Sequence, residues 1–394
     1  MDQQDYSTFL AWLITLPDPR KRRGRRYTWP FLLTVICLAL VSGHKTPWAI
    51  AQWIRLNSAQ ILTLLKPDYP HLPSPSTIYR VLERMDVEQL ERRVTAYGET
   101  IVGHLRALKE EEPETNLYGV AVDGKELRGA ARHGPKVHLV SLVEHDSGIV
   151  IGQERVGDRD YEPLALQELI EGRDLSRMVI TMDAMYTHAN VVQQIMDRGA
   201  HYLTVVKGNQ RTLREDLELL FAQEPLVGEE RWEYARGNKG HGRQEFRRIH
   251  CSALLNDYLG WPGVSQVVQR ICTRIHSRTG AIVRQESYAI TSLSHAQASP
   301  KVLEKLWRKH WTIENRVHYV RDETLGEDRG QAAKGNTPQV LAALRNALLT
   351  AMRAQGWESI AQGVRYCCSD VARSLALLTA LPHTLSMQDT STFS

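Results

Sequence analysis

The chain reads as an α/β protein whose strand-and-helix core follows an all-helical segment and is interrupted by a β-rich insertion. Three observations carry that prediction. The first 112 residues show helical periodicity throughout. Two short apolar runs then end in acids, Leu117-Tyr-Gly-Val-Ala-Val-Asp123 and Met178-Val-Ile-Thr-Met-Asp183, and these Asp residues lie 60 positions apart. Around them, strands alternate with helices, the pattern of a sheet with at least partly parallel pairing.

Taken in order, helical patches fall at 6–16, 30–41, 47–56 and 87–108. Ser74-Pro75 opens a further short helix with an N-cap and a proline at the first helical position. Ser76, Thr77, Tyr79 and Arg80 stand early in it, so it reads either as a recognition helix for DNA or as an ordinary capped surface helix. Glu110-Glu-Glu-Pro-Glu is expected to be a linker. Strands at 137–144 and 149–156 flank the hairpin signal His145-Asp-Ser-Gly148. A helix at 163–170 leads to the second acid-ended strand, followed by a helix at 187–196, a strand at 201–206 and a helix at 211–221. Strands at 231–234, 243–251, 265–275 and 284–290, with the glycine-rich turn 237–242, mark the insertion, and helix resumes from Pro300 through Ala354. The expected boundaries are 1–112, 113–227, 228–297 and 298–394.

Composition sets limits on function. The 42% hydrophobic and 24% charged content is that of an ordinary soluble globular protein. The net charge of +4 is too small at this length to imply nucleic acid by itself. Its distribution says more: Arg20-Lys-Arg22-Arg23-Gly-Arg25-Arg26 places six cations in seven positions, either a phosphate-contacting run or a solvated one. Five scattered cysteines suggest neither zinc nor disulfides and fit a reducing, cytoplasmic compartment. The most apolar stretch, 30–41, is short of the roughly 20 residues a bilayer span needs, so no membrane association is expected.

Three acids are candidates for chemistry. Asp123 precedes Gly124, which is also a turn signal. Asp183 ends a strand, where ligands of open α/β sheets gather, or else caps the next helix, although Thr187 is better placed as the cap. A 3.6-residue period from Leu303 puts Leu306, Trp307, His310, Glu314, Val317 and Arg321 on one inward face. Glu314 then needs a cation, either a metal or an ion pair with Arg321 or Lys309. Three carboxylates delivered from strand, strand and helix are how proteins hold two divalent ions for phosphoryl transfer.

The blocks Ala121-Val-Asp123-Gly-Lys-Glu-Leu-Arg-Gly129, Thr181-Met-Asp183-Ala-Met-Tyr-Thr-His188, Tyr202-Leu-Thr-Val-Val-Lys-Gly-Asn209, His241-Gly-Arg-Gln-Glu-Phe-Arg247 and His310-Trp-Thr-Ile-Glu314-Asn-Arg-Val-His318 are similar to the DDE-type insertion-sequence transposases that include the H-repeat-associated proteins. That resemblance implies an RNase H-like core and a catalytic triad of Asp123, Asp183 and Glu314 holding two Mg²⁺, with Mn²⁺ as substitute. It implies cleavage of double-stranded DNA at element ends, transfer of 3′-hydroxyls to target DNA, and a homodimer or larger synaptic complex. A nuclease that cuts without joining and a domesticated DNA-binding regulator share these residues. Lys125, Arg128, Lys207, His310, Arg316 and Arg321 are then expected beside the phosphates. Arg243, Arg247 and Arg248 are expected along the DNA backbone, with Arg22, Arg23, Arg25 and Arg80 in the leading domain. Trp232 and Trp261 are candidates to stack an extruded base. Where related enzymes carry Tyr, Arg and Lys around the Glu, this chain has Trp307, His310 and Arg321.

Overall fold

The computed structural model describes residues 8–21, 25–108, 116–132, 134–157, 161–225, 229–240 and 242–382. Its strands are β1 (Tyr118–Glu126), β2 (His138–Glu144), β3 (Val150–Arg155), β4 (Met178–Met182), β5 (His201–Val206), β6 (Arg231–Gly240), β7 (Arg243–Ser252), β8 (Gln266–His276) and β9 (Ile282–Thr291). With many helices they make a mixed α/β protein with a large mixed sheet. The chain divides into two compact units, one of 1–110, 124–160 and 313–394, the other of 111–123 and 161–312. The division cuts β1 between Asp123 and Gly124, so this strand contributes to both.

In the second unit the strand order is β1-β4-β5-β9-β8-β7-β6. β1, β4 and β5 are parallel neighbours, and β9 joins β5 antiparallel with Leu203 opposite Thr291. The β-rich stretch therefore extends this sheet edge to edge through a single ladder. The glycine-rich segment 237–240, expected to turn, stays in β6 and pairs with β7. The turn comes later, where Gly242 takes a φ of +70°. The helix Pro300–Lys309 lays Leu303 and Trp307 on a buried cluster of Val179, Leu203, Ile249 and Val268. One helical face is apolar because it has one sheet face to cover.

The first unit is mostly helical. The helix Trp29–Val41 buries every residue except Pro30, which explains its run of apolar side chains without an amphipathic stripe. A helix at Ser58–Leu65 was not foreseen, and the leading helix is confined to Phe9–Leu13. The Pro75–Arg84 helix starts as its sequence predicts, with Ser74 Oγ accepting from the Thr77 N–H. The acidic stretch 110–114 lies outside the described residues. β2 and β3 form the expected hairpin, Gly148 turning at φ +70°. The strand order here is β3-β2-β1, and Leu127 N–H donates to Val137 carbonyl where β1 ends. The central helix Thr337–Ala354 is buried along its whole length.

Among the described residues no helix is long and apolar enough to cross a membrane. The long helix Val87–Ala107 meets β3 at Gly98, where an added Cβ would sit 2.4 Å from the Val150 carbonyl oxygen. On helix propensity alone Gly98→Ala should stabilise by up to about 1 kcal/mol. This contact reverses the sign: overpacking against backbone should cost about 1–3 kcal/mol, read as a lower denaturation midpoint at unchanged m value.

Candidate active site

Each functional side chain can be traced to the element that carries it. β1 and β4 run parallel with Val122 beside Met182, the last pair of their ladder, so Asp123 within β1 and Asp183 just past β4 follow one step further on. β1 continues straight to Glu126, which removes the turn reading of Asp123. Asp183 makes no side-chain cap bond. Thr187, expected to cap, is instead buried with its hydroxyl on Thr204 and the Val205 carbonyl, and the helix begins later, at Ala189–Asp197. The turn after Asp183 is clamped from the segment following β5. Asn209 Nδ2 donates to the Ala184 carbonyl at 2.7 Å and Gln210 Nε2 to the Thr187 carbonyl at 2.8 Å.

The electrostatics around the two aspartates are uneven. Lys207, just past β5, places Nζ 2.8 Å from Asp183 Oδ1 and 2.9 Å from Oδ2. Burial raises the Asp183 carboxyl, but the Lys207 ammonium and the Ala184 N–H outweigh it and hold the group below its ordinary range. The buried Tyr186 hydroxyl donates to Glu162 Oε2. Burial pushes that phenol up, and the charges of Glu162, Asp123 and Asp183 push it further. Three carboxylates thus act on one phenol, one of them already paired with the Lys207 ammonium. Glu162 and Tyr186 escaped the sequence reading as functional. Tyr186 sits inside the Thr181–His188 block, but Glu162 gave no signal beyond preceding a helix proline. His310, at the end of the helix Pro300–Lys309, has Nδ1 3.1 Å from Thr181 Oγ1. Burial lowers its pKa, opposed by the charge of Asp183, so it is a neutral imidazole at neutral pH.

In the first unit, Glu314 lies on a π-helical stretch, Ile313–His318, followed by another at Val320–Thr324. The expected single helix from 300 to 321 is broken. The helix ends at Lys309, and Glu314, near the start of the π-helical stretch, leaves its side chain 50% exposed while Val317 and Arg321 stay buried. Its partner is neither Arg321 nor Lys309 but His318, Nδ1 to Oε2 at 3.2 Å. That hydrogen bond, against the opposing effect of burial, holds Glu314 below its usual value. Burial in turn lowers the pKa of His318, partly offset by Glu314.

Several predicted phosphate contacts are corrected. Arg321 is fully buried; its guanidinium binds Glu327 at 2.7 Å and Gln153 at 3.1 Å, and Arg345 completes the pair from the other side of Glu327 at 3.0 Å. Arg247 is buried against Glu304 at 3.4 Å, because alternate residues of β7 face the core. Lys125 is buried with Asp322 at 2.5 Å. Arg316 is partly buried and donates to the Asp146 carbonyl at 2.6 Å. The exposed cations are Arg25, Arg80, Arg128, Lys207, Arg243 and Arg248. Arg22 and Arg23 lie outside the described residues. Trp232 already stacks on His295 at 3.9 Å, its rings 6° from parallel, and is not an open platform.

With this geometry in place, comparison with known families is decisive. A model described as "Transposase DDE domain" matches residues 114–351 and one described as "DDE_Tnp_1-associated" matches 10–97. The chain belongs to the DDE transposase family. It is 25% identical over 354 residues to "Putative transposase YncI" of Escherichia coli O157:H7, covering 88% of this chain and 87% of that protein. It is 28% identical over 237 residues to "H repeat-associated putative transposase YhhI" of E. coli K12, covering 58% and 62%. The solved piggyBac transposase synaptic complex with hairpin DNA aligns over 98% of this chain and 80% of that one, at 10% identity and a TM-score of 0.42, too low to argue from.

Two outcomes test this reading of the transposase. Lys207→Met should move the Asp183 titration upward, followed by carboxyl NMR. A lowered folded pKa contributes stability that is present above the unfolded value and lost as pH falls through the folded one, so the variant should lose that contribution. Arg321→Ala should cost about 3–5 kcal/mol in denaturation, since it leaves Glu327 buried with one partner fewer.

Proposed function

We propose that this transposase cleaves DNA at the ends of a mobile element and joins the freed 3′-hydroxyls to target DNA, with Asp123, Asp183 and Glu314 as the catalytic acids of an RNase H-like core. The observation that carries the reading is the parallel register that places Asp123 of β1 and Asp183, the residue after β4, one step past the Val122–Met182 pair. Glu314 joins them through the block His310-Trp-Thr-Ile-Glu314-Asn-Arg-Val-His318, which lies inside the matched transposase domain.

The donor set fits hard divalent ions. Carboxylate oxygens dominate and no cysteine is among them. Asp123, Asp183 and Glu314 would hold Mg²⁺ or Mn²⁺, and His318, hydrogen-bonded to Glu314, would add a nitrogen. Bound there, such ions supply Lewis-acid stabilisation of the transferring phosphoryl group. The protein's part is positional. Lys207 keeps Asp183 ionised, His318 does the same for Glu314, and the clamp from Asn209 and Gln210 fixes the turn after Asp183. Cleavage places a water oxygen on phosphorus as the 3′-oxygen leaves. Joining repeats the displacement with that 3′-hydroxyl as nucleophile, one phosphodiester made for each broken, so no ATP is consumed.

Arg25, Arg80, Arg128, Arg243 and Arg248 remain the backbone contacts of this reading. The helix Pro75–Arg84, with Tyr79 and Arg80 exposed, is its candidate for groove recognition. Paired cutting of two ends calls for a homodimer or larger complex on DNA.

The test is a labelled duplex carrying an element end, incubated with Mg²⁺ or Mn²⁺. Wild type should nick and join it. Asp183→Asn should lower both rates by about three orders of magnitude, the several kcal/mol of charge stabilisation lost with a metal site, while binding persists. Cleavage without joining would make the chain a nuclease. Binding with no metal-dependent cleavage, unchanged by the substitution, would leave a DNA-binding regulator.

A further inference from the structure

The hairpin between β2 and β3 carries a contact that none of the chemistry above uses. Its tip is tied by the Glu144 carboxylate, which accepts from the N–H groups of Asp146 at 3.1 Å and Ser147 at 2.7 Å. Two guanidiniums join this tip to the π-helical stretch Ile313–His318. Arg316 Nη1 donates to the Asp146 carbonyl at 2.6 Å. Arg353, in the last turn of the helix Thr337–Ala354, reaches both segments at once: Nη1 donates to the Gly148 carbonyl and Nη2 to the Arg316 carbonyl. Gly148 leaves room for this, since an added Cβ would stand 3.2 Å from Arg316 Cβ and 3.3 Å from Arg353 Cζ. Arg353 is 7% exposed, and among the described residues no carboxylate pairs with it. Burial and the neighbouring Arg316 charge push its pKa down to about 9, so it stays charged at neutral pH. Only the end of its own helix and those two carbonyls offset the cost of burying that charge.

We propose that Arg353 is a positioning residue, fixing the direction in which the π-helical stretch presents the Glu314 carboxylate. The Arg316 carbonyl that it holds lies two residues after Glu314, inside the same stretch. A π-helix is a rare form found mostly at functional sites, so contacts from outside the segment must favour it over the ordinary α-helix. A point donor would fix a single distance. The planar guanidinium fork spans carbonyls of two separate segments and so fixes direction as well. Stability alone explains the residue poorly, because a buried cation beside a second cation is a costly way to satisfy two carbonyl oxygens. Such costs gather where function requires them. The inference rests on the reading of Glu314 as a catalytic acid and deepens it, tying that acid to a residue 39 positions further along the chain.

The test compares three variants of the full chain. Arg353→Lys keeps the buried charge and loses the fork; Arg353→Gln loses both and relieves the buried charge. Ile36→Ala, a core truncation in the helix Trp29–Val41, is the control for destabilisation elsewhere in the same unit. Each is measured for its denaturation midpoint, for Mn²⁺ binding by electron paramagnetic resonance, which needs no turnover, and for cleavage of the labelled duplex. Both Arg353 variants should bind Mn²⁺ about tenfold more weakly and lose about as much in kcat, the scale of a lost contact behind a metal ligand. Their KM for DNA should stay within about twofold, since no ground-state contact with DNA is removed. Ile36→Ala should lower the midpoint and leave Mn²⁺ affinity and kcat unchanged. Wild-type Mn²⁺ affinity and kcat in Arg353→Lys, with a loss in Arg353→Gln alone or in neither, overturns the positioning role. Losses that follow the midpoint in all three variants overturn it as well and leave Arg353 structural. A wild type that binds no Mn²⁺ and does not cleave overturns the catalytic reading and this inference with it.

Discussion

The parallel pairing of β1 with β4 is the constraint on which the catalytic reading depends. Val120, Ala121 and Val122 on β1 and Val179, Ile180 and Met182 on β4 are all buried, so both faces of these strands are covered and the fit of their side chains against the layers on either side holds the register. Asp123 and Asp183 are the first residues past those apolar runs, and they inherit their adjacency from the packing of the residues before them. Parallel pairing also sends both chains out at the same end, where Lys207 arrives from β5 by the same rule.

A different interaction organises the helical unit. Glu327 is buried between Arg321 and Arg345, and the neighbouring Gln153 links Arg321 to Glu91 through a 2.7 Å bond from its Nε2. Burial pushes the Glu91 carboxyl up to about 8, so it is protonated and neutral at pH 7. The Glu327 carboxylate stays ionised because two guanidiniums outweigh its own burial. The network thus carries one acid for two arginines and ties together β3, the helix Thr337–Ala354 and the π-helical stretch Val320–Thr324 that follows Glu314. Gly129 belongs to the same device, since an added Cβ would meet the carbonyl oxygens of Gly330 at 2.4 Å and Glu327 at 2.6 Å.

The cations show how patterning misleads. Arg321, Arg247 and Lys125 each read as a phosphate contact, and each is buried against an acid distant in sequence. Charge alone does not distinguish a solvated arginine from one whose carboxylate partner lies across a fold. Glu314 misled in the opposite sense. A 3.6-residue period assigned it inward, whereas the helix Pro300–Lys309 stops before it and Glu314 sits near the start of a π-helical stretch with half of its side chain in solvent. Hydrogen bonds to the fifth residue are a tertiary choice, invisible to a periodicity that assumes the α-helix.

What the sequence determined by itself is what local chemistry dictates. The acid-ended strands, the Ser74–Pro75 helix start, the 145–148 hairpin, the wholly apolar helix at Trp29–Val41 and the motif blocks of the family were all legible, since each depends on neighbours within a few residues. The tertiary structure alone decided that the β-rich stretch continues the core sheet, which cations are buried, that His318 holds Glu314 and that Tyr186 stands among three carboxylates. Those facts depend on which distant elements meet. The packing of apolar faces sets those meetings, and the polar groups they enclose must then find partners wherever the fold supplies them.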